Sequence, residues 1–307
     1  MRVVRHARPG GPATAIAIGS FDGVHRGHGT ILERLRARAA ALGLVPAVLT
    51  FEPLPREFLA PASAPPRLAS LAERLAEIAR HGIALAYVER FDRRFAALGP
   101  DAFAERLARE YGARLVLVGE DFRYGAGRAG DVASLARAGE RLGFAVETLP
   151  AVAEGGERIS STRVRAALAA GDFAGAARLL GRPYTITGRV VHGAKRGRGL
   201  GFPTANVRLA RPRAPLAGIF AVKCHGVATR GLEGVASLGI NPAVQAGGPA
   251  TLEAFLFDFS GDLYGRRVSI EFLKKLRDEA HFASLDELSA QIARDCEQAR
   301  EHFRAKP

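Results

Sequence analysis

The stretch from Gly19 to Gly29, GSFDGVHRGHG, decides the fold of the first half of the chain. Just upstream, the apolar run AIAIG (Ala15 to Gly19) reads as a buried strand. Downstream, Ile31, Leu32, Leu35, Ala39 and Leu42 recur at helical spacing. The stretch is therefore a strand-to-helix turn carrying His25 and His28 at the mouth of a helix. Its glycines let the backbone approach a ligand closely. The helix start supplies unpaired N–H groups and a positive dipole end, which suit an anion. Two imidazoles beside it can donate hydrogen bonds to phosphate oxygens whose charge rises in a transition state. Taken alone, the same pattern serves for two loop histidines without a chemical task.

Working outward, apolar runs at Ala15–Ile18, Val45–Thr50, Ile83–Tyr87, Arg114–Val118 and Ala145–Leu149 alternate with helical patterns such as Leu68, Leu71, Leu75 and Ile78. Alternation of this kind predicts an α/β domain with a parallel sheet and helices on both faces. Ligands of such sheets bind outside the carboxyl ends of the strands. The chemistry-bearing loops all follow strands: Thr50–Leu59 (TFEPLPREFL), Val118–Val132 (VGEDFRYGAGRAGDV) and, past a short linker, Ile159–Leu168 (ISSTRVRAAL).

In ISSTR, Ser160 or Ser161 caps the next helix and puts Thr162 and Arg163 in its first turn. An arginine there opposes the helix dipole, and a bound anion would resolve the conflict. Gly125 to Gly130, GAGRAG, matches a dinucleotide-binding fingerprint, with Glu147 at the distance of a ribose-binding acid. However, EDFRY separates it from its strand, and it belongs to the fourth strand–helix unit. It reads instead as a flexible loop bordering a nucleotide or flavin pocket, with Asp121, Phe122 and Arg123 as contact residues.

The helical stretch Thr162 to Leu180 stops at Gly181-Arg182-Pro183, which sets the expected domain boundary: residues 1–183 and 184–307. Beyond it, strand-like runs separated by turn signals (Tyr184–His192, Gly218–His225, Gly234–Leu238, Thr251–Phe259, Arg267–Leu273) predict an antiparallel barrel. A last helix, Ser284 to Phe303, carries Leu285, Leu288, Ile292, Cys296 and Phe303 on the face that packs on it.

Val191 to Val207, VHGAKRGRGLGFPTANV, holds a second phosphate chemistry. Gly193, Gly197, Gly199 and Gly201 make a loop that can wrap phosphates, although no G-K-[ST] follows. Thr204 and Asn206 stand two residues apart and, if extended, point the same way. Their oxygens suit Mg²⁺ already chelated by nucleotide phosphates. In TLEAFLFDF, Glu253 shares a face with Phe255, Phe257 and Phe259. A carboxylate there is costly unless solvated, paired with an arginine, or useful as a base.

The H-x-G-H turn resembles the nucleotidyltransferase superfamily. FDGVHRGH, the three sheet-edge loops and GFPTAN together resemble the bacterial bifunctional riboflavin kinase/FMN adenylyltransferases over nearly the whole chain. The resemblance implies a Rossmann-like adenylyltransferase domain followed by a riboflavin kinase barrel, using ATP, riboflavin, FMN, FAD and Mg²⁺. It assigns Gly19, Ser20, Phe21, Asp22, Gly27, Ser161, Thr162 and Arg163 to the first ATP, with His25, His28 and Arg163 acting on its phosphates. It assigns Gly193, Lys195, Gly201, Phe202, Pro203, Thr204 and Asn206 to the kinase ATP, with Thr204 and Asn206 at the metal. Glu253 becomes the base for the ribityl 5′-hydroxyl, and Leu276, Arg277 and Glu279 become flavin-side residues.

Three departures stand out: Ser20 for an asparagine, Leu54 for the histidine of FEPHP, and Gly239-Ile240-Asn241-Pro242-Ala243-Val244 for a G-T-R-P-T or G-T-N-P-T run. They leave open a chain in which only one domain is active. The net charge of +13 is scattered, and all but five of the 44 basic residues are arginine. We expect no nucleic-acid partner, the charge serving to gather anionic substrates. Two cysteines outside any C-x-x-C, no secretory signal and no membrane-length apolar run fit a cytoplasmic protein without a membrane partner. Self-association is expected to be absent or weak.

Overall fold

The computed structural model of the chain describes residues 1–193, 202–240 and 250–305, except the side chain of Ile240. Lys195, Gly201 and the Asn241–Val244 departure lie outside these residues. The chain divides into two compact units: Met1–Pro65 with Leu71–Ser160, and Pro66–Ser70 with Ser161–Pro307.

The first unit is the expected parallel sheet. Its strands are β1 (Arg2–Val4), β2 (Thr14–Ile18), β3 (Val45–Glu52), β4 (Leu85–Arg90), β5 (Ala113–Gly119) and β6 (Ala145–Leu149), in the order β1-β4-β3-β2-β5-β6. Every residue of β2 is buried, as a central strand requires. The strand's alternation sends Ile16 and Ile18 to one core cluster and Ala15 and Ala17 to the other. Helices α1 (Arg26–Ala41) and α3 (Leu71–Arg80) cover the alanine side through Leu32, Leu35, Ala39 and Ile78. Helices α5 (Pro100–Arg109) and α6 (Val132–Leu142) cover the other side through Phe103, Leu107 and Leu135. Short helices α2 (Pro55–Leu59) and α4 (Arg93–Ala96) follow β3 and β4. Strand β2 feeds β3 on one side while β5 docks on its other side. The sheet therefore reverses direction between β2 and β5, and the loops at that reversal frame its crevice.

The second unit begins with α7 (Ser161–Ala169) and α8 (Phe173–Leu180). One helix was expected over Thr162–Leu180. Gly171 (φ +75) breaks it, and Asp172 caps the second helix by accepting from Gly175 N–H. Strands β9 (Thr185–Val191), β10 (Thr204–Val207), β11 (Gly218–His225), β12 (Leu232–Ile240), β13 (Ala250–Leu256) and β14 (Arg267–Arg277) close the antiparallel barrel β10-β13-β12-β11-β14-β9. The terminal helix α9 (Leu285–Arg304) is capped by Ser284 and packs Ile292, Cys296, Ala299 and Phe303 on the barrel. Leu285, expected on that face, is 68% exposed because it occupies the first turn.

Leu68, expected on the α3 stripe, lies outside that helix in the Pro66–Ser70 segment of the second unit. Its carbonyl accepts from Tyr184 Oη (3.0 Å) and from the buried Arg211 (2.8 Å). Two short strands, β7 (Ala153–Glu154) and β8 (Glu157–Arg158), form a hairpin of the first unit that the hydrophobic pattern did not announce. Among the described residues, no helix is long and apolar enough to cross a membrane.

Candidate active sites

The Gly19–Gly29 turn lies at the carboxyl end of β2, beside the sheet reversal. Its backbone is strained: Phe21 (φ +49), Gly23 (φ +81) and Val24 (φ +41) are left-handed. A β-branched residue in that region costs energy and persists only where its surroundings enforce it. The strain delivers His25 to the N-cap of α1, where Nδ1 accepts from His28 N–H at 3.4 Å. That bond leaves Nε2 of a neutral His25 to carry the proton. The two imidazoles stack with centroids 3.8 Å apart, and Phe21 packs against His28 at 5.2 Å. A Cβ at Gly27 would stand 3.2 Å from the His25 ring, so glycine makes room for it.

His28 Nδ1 is buried and makes no hydrogen bond among the described residues. Burial first, then His25 and Arg158, hold the His28 pKa well below the ordinary imidazole value. A neutral imidazole still donates one N–H, the form that hydrogen-bonds a phosphate oxygen without acting as a general acid.

No motif in the sequence singles out Arg158. It sits on β8, near enough to His28 to depress its pKa. Asp121 grips its guanidinium through both carboxylate oxygens, at 2.7 and 3.3 Å. That pair lowers the Asp121 pKa and raises that of Arg158. Arg26, the first residue of α1, pairs with Glu154 across the same hairpin. Phe122 stacks on Tyr124 (5.7 Å), and Arg123 turns to Asp131 at 3.7 Å.

The GAGRAG loop is closed on itself by backbone hydrogen bonds. Tyr124 and Gly130 exchange backbone hydrogen bonds at 3.1 and 2.9 Å, and Ala126 N–H donates to Leu98 O at 2.7 Å. Glu147 pairs with Arg38 at 2.6 Å. Neither feature has the geometry of a dinucleotide site.

Ser161, Thr162 and Arg163 form the first turn of α7 directly after Ser160 and group with the second unit. Gly19 and Ser20 follow the end of β2, and Asp22 is buried. Leu54, where the resemblance implies a histidine, is the buried residue preceding α2.

The barrel site is built on strands. Cross-strand register sets Asn206 opposite Glu253, and Thr204 opposite Phe255, two residues along β10 and β13. Thr204 Oγ1 donates to Glu253 Oε2 at 3.2 Å. Glu253 has no arginine or lysine partner among the described residues. A Cβ at Gly193 would fall 2.3 Å from Asn206 Cγ and Oδ1, so only glycine lets that carboxamide lie against the backbone where the phosphate loop begins. Among the described residues, no group of three or more His, Cys, Asp or Glu could hold a metal. The hard oxygens of Thr204, Asn206 and Glu253 do fit a magnesium ion that brings phosphate ligands with it.

Thr204 and Glu253 open into a cavity of about 600 Å³, walled by Phe202, Phe255 and Val235 of the barrel side and by Leu288 and Ile292 of α9. Phe257 continues the Phe255 face just past the end of β13; Asp258 (φ +53) then turns the chain, and Phe259 leaves it. Arg277 and Glu279 line the cavity, whereas Leu276 packs into the adjoining apolar cluster. The Glu279 carboxylate rests on Gly239, where a Cβ would meet it at 2.0 Å. Burial raises its pKa against the pull of Arg277 and His281. Arg277 is clamped by the buried Asp295 at 2.7 to 3.1 Å, and Gln291 donates to Asp295 at 2.8 Å. The pKa values of Cys296 and Cys224 are both pushed up to about 11, with burial the leading cause.

A strand–turn–helix carrying paired imidazoles, joined to a barrel carrying Thr, Asn and Glu, defines a two-site, phosphate-handling protein. The family model for FAD synthetase matches residues 9–163, and that for riboflavin kinase matches residues 180–303. The bifunctional riboflavin kinase/FMN adenylyltransferase of Escherichia coli K12 is 47% identical over 94% of this chain and 92% of its own length. That of Pseudomonas fluorescens is 46% identical over 98% and 96%. A solved structure described as a macrolide-efflux protein from Streptococcus pneumoniae superposes with a TM-score of 0.78 at 31% identity, covering 97% of this chain and 98% of that one. The chain belongs to the bifunctional riboflavin kinase/FMN adenylyltransferase family.

Proposed function

We propose that the chain makes FAD from riboflavin in two ATP-dependent steps, with chemistry divided near Pro183 as the sequence suggests. In the barrel, Glu253 takes the proton of the ribityl 5′-hydroxyl, whose oxygen attacks the γ-phosphorus of ATP; FMN forms and ADP leaves. Thr204 and Asn206 would hold Mg²⁺, which offsets phosphate charge when bound. The apolar walls of the cavity receive the isoalloxazine, with Arg277, Glu279 and, nearby, Leu276 on the flavin side. Gly193, Lys195, Gly201, Phe202 and Pro203 shape the ATP loop.

At the sheet edge, a phosphate oxygen of FMN attacks the α-phosphorus of a second ATP; FAD forms and pyrophosphate leaves. The charge on the phosphoryl oxygens rises during this step, and preorganised donors stabilise it. His25 and His28 supply such donors, and no covalent enzyme intermediate is needed. Arg158 supplies cationic charge beside them once Asp121 shares it with the substrate. Gly19, Ser20, Phe21, Asp22 and Gly27 line the ATP, while Ser161, Thr162 and Arg163 take its phosphates by resemblance. Asp121, Phe122 and Arg123 border this pocket. The reaction calls for small-molecule substrates only, in the cytoplasm, with no nucleic acid or membrane and no more than weak self-association.

The observation that carries this reading is the meeting of Thr204 and Glu253 at an apolar cavity, with Asn206 directly opposite Glu253 across β10 and β13. The test is to incubate the protein with riboflavin, ATP and Mg²⁺ and separate the flavins. Asn206→Ala should abolish FMN production and spare FAD formation from supplied FMN, and His28→Ala should do the reverse. Crossed results would reassign the sites. FMN accumulating without FAD would favour the one-domain reading to which Leu54 points.

A further inference from the structure

Arg74 is the largest fully buried side chain among the described residues, at 0% exposure. A buried guanidinium is expensive unless it is paired with a counter-charge and hydrogen-bonded. Its acceptors come from the turn after β2 and from the last three residues of β3. Nη1 donates to Ser20 O (2.6 Å) and Thr50 Oγ1 (3.1 Å); Nη2 donates to Phe51 O (3.2 Å) and to the Glu52 carboxylate (2.8 Å). The Thr50 hydroxyl also reaches Ser20 O, at 3.4 Å. Ser20 lies two residues past the end of β2, and Thr50 to Glu52 close β3. One cation from α3 thus ties together the carboxyl ends of two neighbouring strands.

Ser20 directly precedes the left-handed Phe21 and the strained turn that presents His25. The peptide is planar and trans, so fixing Ser20 C=O inward on Arg74 directs the Phe21 N–H the opposite way. That N–H makes no hydrogen bond among the described residues. Strain of this kind needs a compensating grip, and Arg74 supplies it at the residue where the turn begins.

We propose that Arg74 is a positioning residue for adenylyl transfer: it holds the strained histidine turn in register with the carboxyl end of β3 and touches no substrate itself. The inference rests on the adenylyltransferase reading above. The experiment uses the full chain, with supplied FMN and ATP for the sheet site and with riboflavin and ATP for the barrel site. Displacing reacting groups by even about 1 Å costs on the order of 100-fold, so Arg74→Met should lower the adenylyl-transfer kcat by about that factor. The KM values should move less than about threefold, and the kinase rate should stay at wild type. Arg74→Lys keeps the charge but reaches fewer acceptors, and should recover roughly tenfold of the loss. Thr50→Val removes one acceptor of Arg74 and the Thr50–Ser20 contact while leaving the Arg74–Glu52 pair, and should cost several-fold in kcat with an unchanged thermal midpoint.

A merely structural Arg74 would lower the thermal midpoint and leave kcat intact at low temperature. That result overturns the proposal, as does equal loss of both activities. Should Arg74→Met melt the sheet unit, the other two variants decide, and wild-type kcat in both overturns it. A wild-type chain that makes no FAD from FMN refutes the adenylyltransferase reading. Wild-type turnover with unaffected variants refutes the positioning role alone.

Discussion

In the sheet unit the two histidines of the proposed site stand where a turn beyond a strand end opens a helix; in the barrel unit the proposed groups stand on the strands. The difference decides how each site is held. His25 and His28 depend on a left-handed backbone and a buried cation, because no ladder fixes a loop. Thr204, Asn206 and Glu253 are fixed by antiparallel register, which cannot slip by one residue without turning them to the opposite face. Local strain therefore concentrates at the first site, and the second draws its geometry from the barrel's hydrogen bonds.

The sharpest way to break this comparison is Glu253→Gln. The amide keeps the shape and can still accept from Thr204, so the strand register and the fold should persist. It cannot take up the hydroxyl proton, and riboflavin phosphorylation should fall by about 1,000-fold, in the usual range for a lost general base. Adenylylation of supplied FMN should not change. Flavin separation reads both rates from one sample. A kinase rate within tenfold of wild type would remove Glu253 from the chemistry.

The same contrast explains what the sequence disclosed. A loop site is written contiguously, so GSFDGVHRGHG announced both its turn and its histidines. The barrel residues lie in separate segments, and only GFPTAN was self-contained; pairing Asn206 with Glu253 needs the ladder. Arg74 passed unnoticed as one basic residue among many. Its signal was present, since it falls between Leu71, Leu75 and Ile78 at i+3 on the apolar stripe of α3. A charge at that position is either an error of pattern or a buried anchor. Arg158 had no such signal, because its hairpin is two short, mostly exposed strands around Gly155-Gly156. Strand β1, three residues long, likewise has no apolar alternation to betray it.

A smaller effect sharpens the barrel side. Helix α9 walls the cavity and is tied to β14 by the Arg277–Asp295 pair. Asp295→Asn removes the counter-charge from a guanidinium that keeps some solvent access, with 22% of its side chain exposed. The loss should be about 2–3 kcal/mol, below the full penalty for breaking a wholly buried pair. Urea unfolding should show it in the barrel unit, and the KM for riboflavin should rise as the wall loosens. The sheet site should be indifferent. An equal rise in the KM for FMN in adenylyl transfer would mean that the two sites are not independently supported.

The gentlest effect belongs to His28. Its pKa in the fold is depressed below the ordinary value of 6.5, first by burial and then by His25 and Arg158. Below pH 6.5 the unfolded chain therefore binds a proton that the folded chain refuses. This contribution to stability is present in full above pH 6.5 and falls with pH until the depressed folded value is reached, by at most about 1.4 kcal/mol per pH unit. His28→Gln removes the titrating group, so subtracting its urea stability from that of the wild type between pH 7.5 and 5 isolates the slope. The wild type should lose stability relative to the variant as the pH falls. The opposite sign would mean that a charged His28 is favoured in the fold, and that the sheet site holds its phosphates with an imidazolium rather than with a neutral donor.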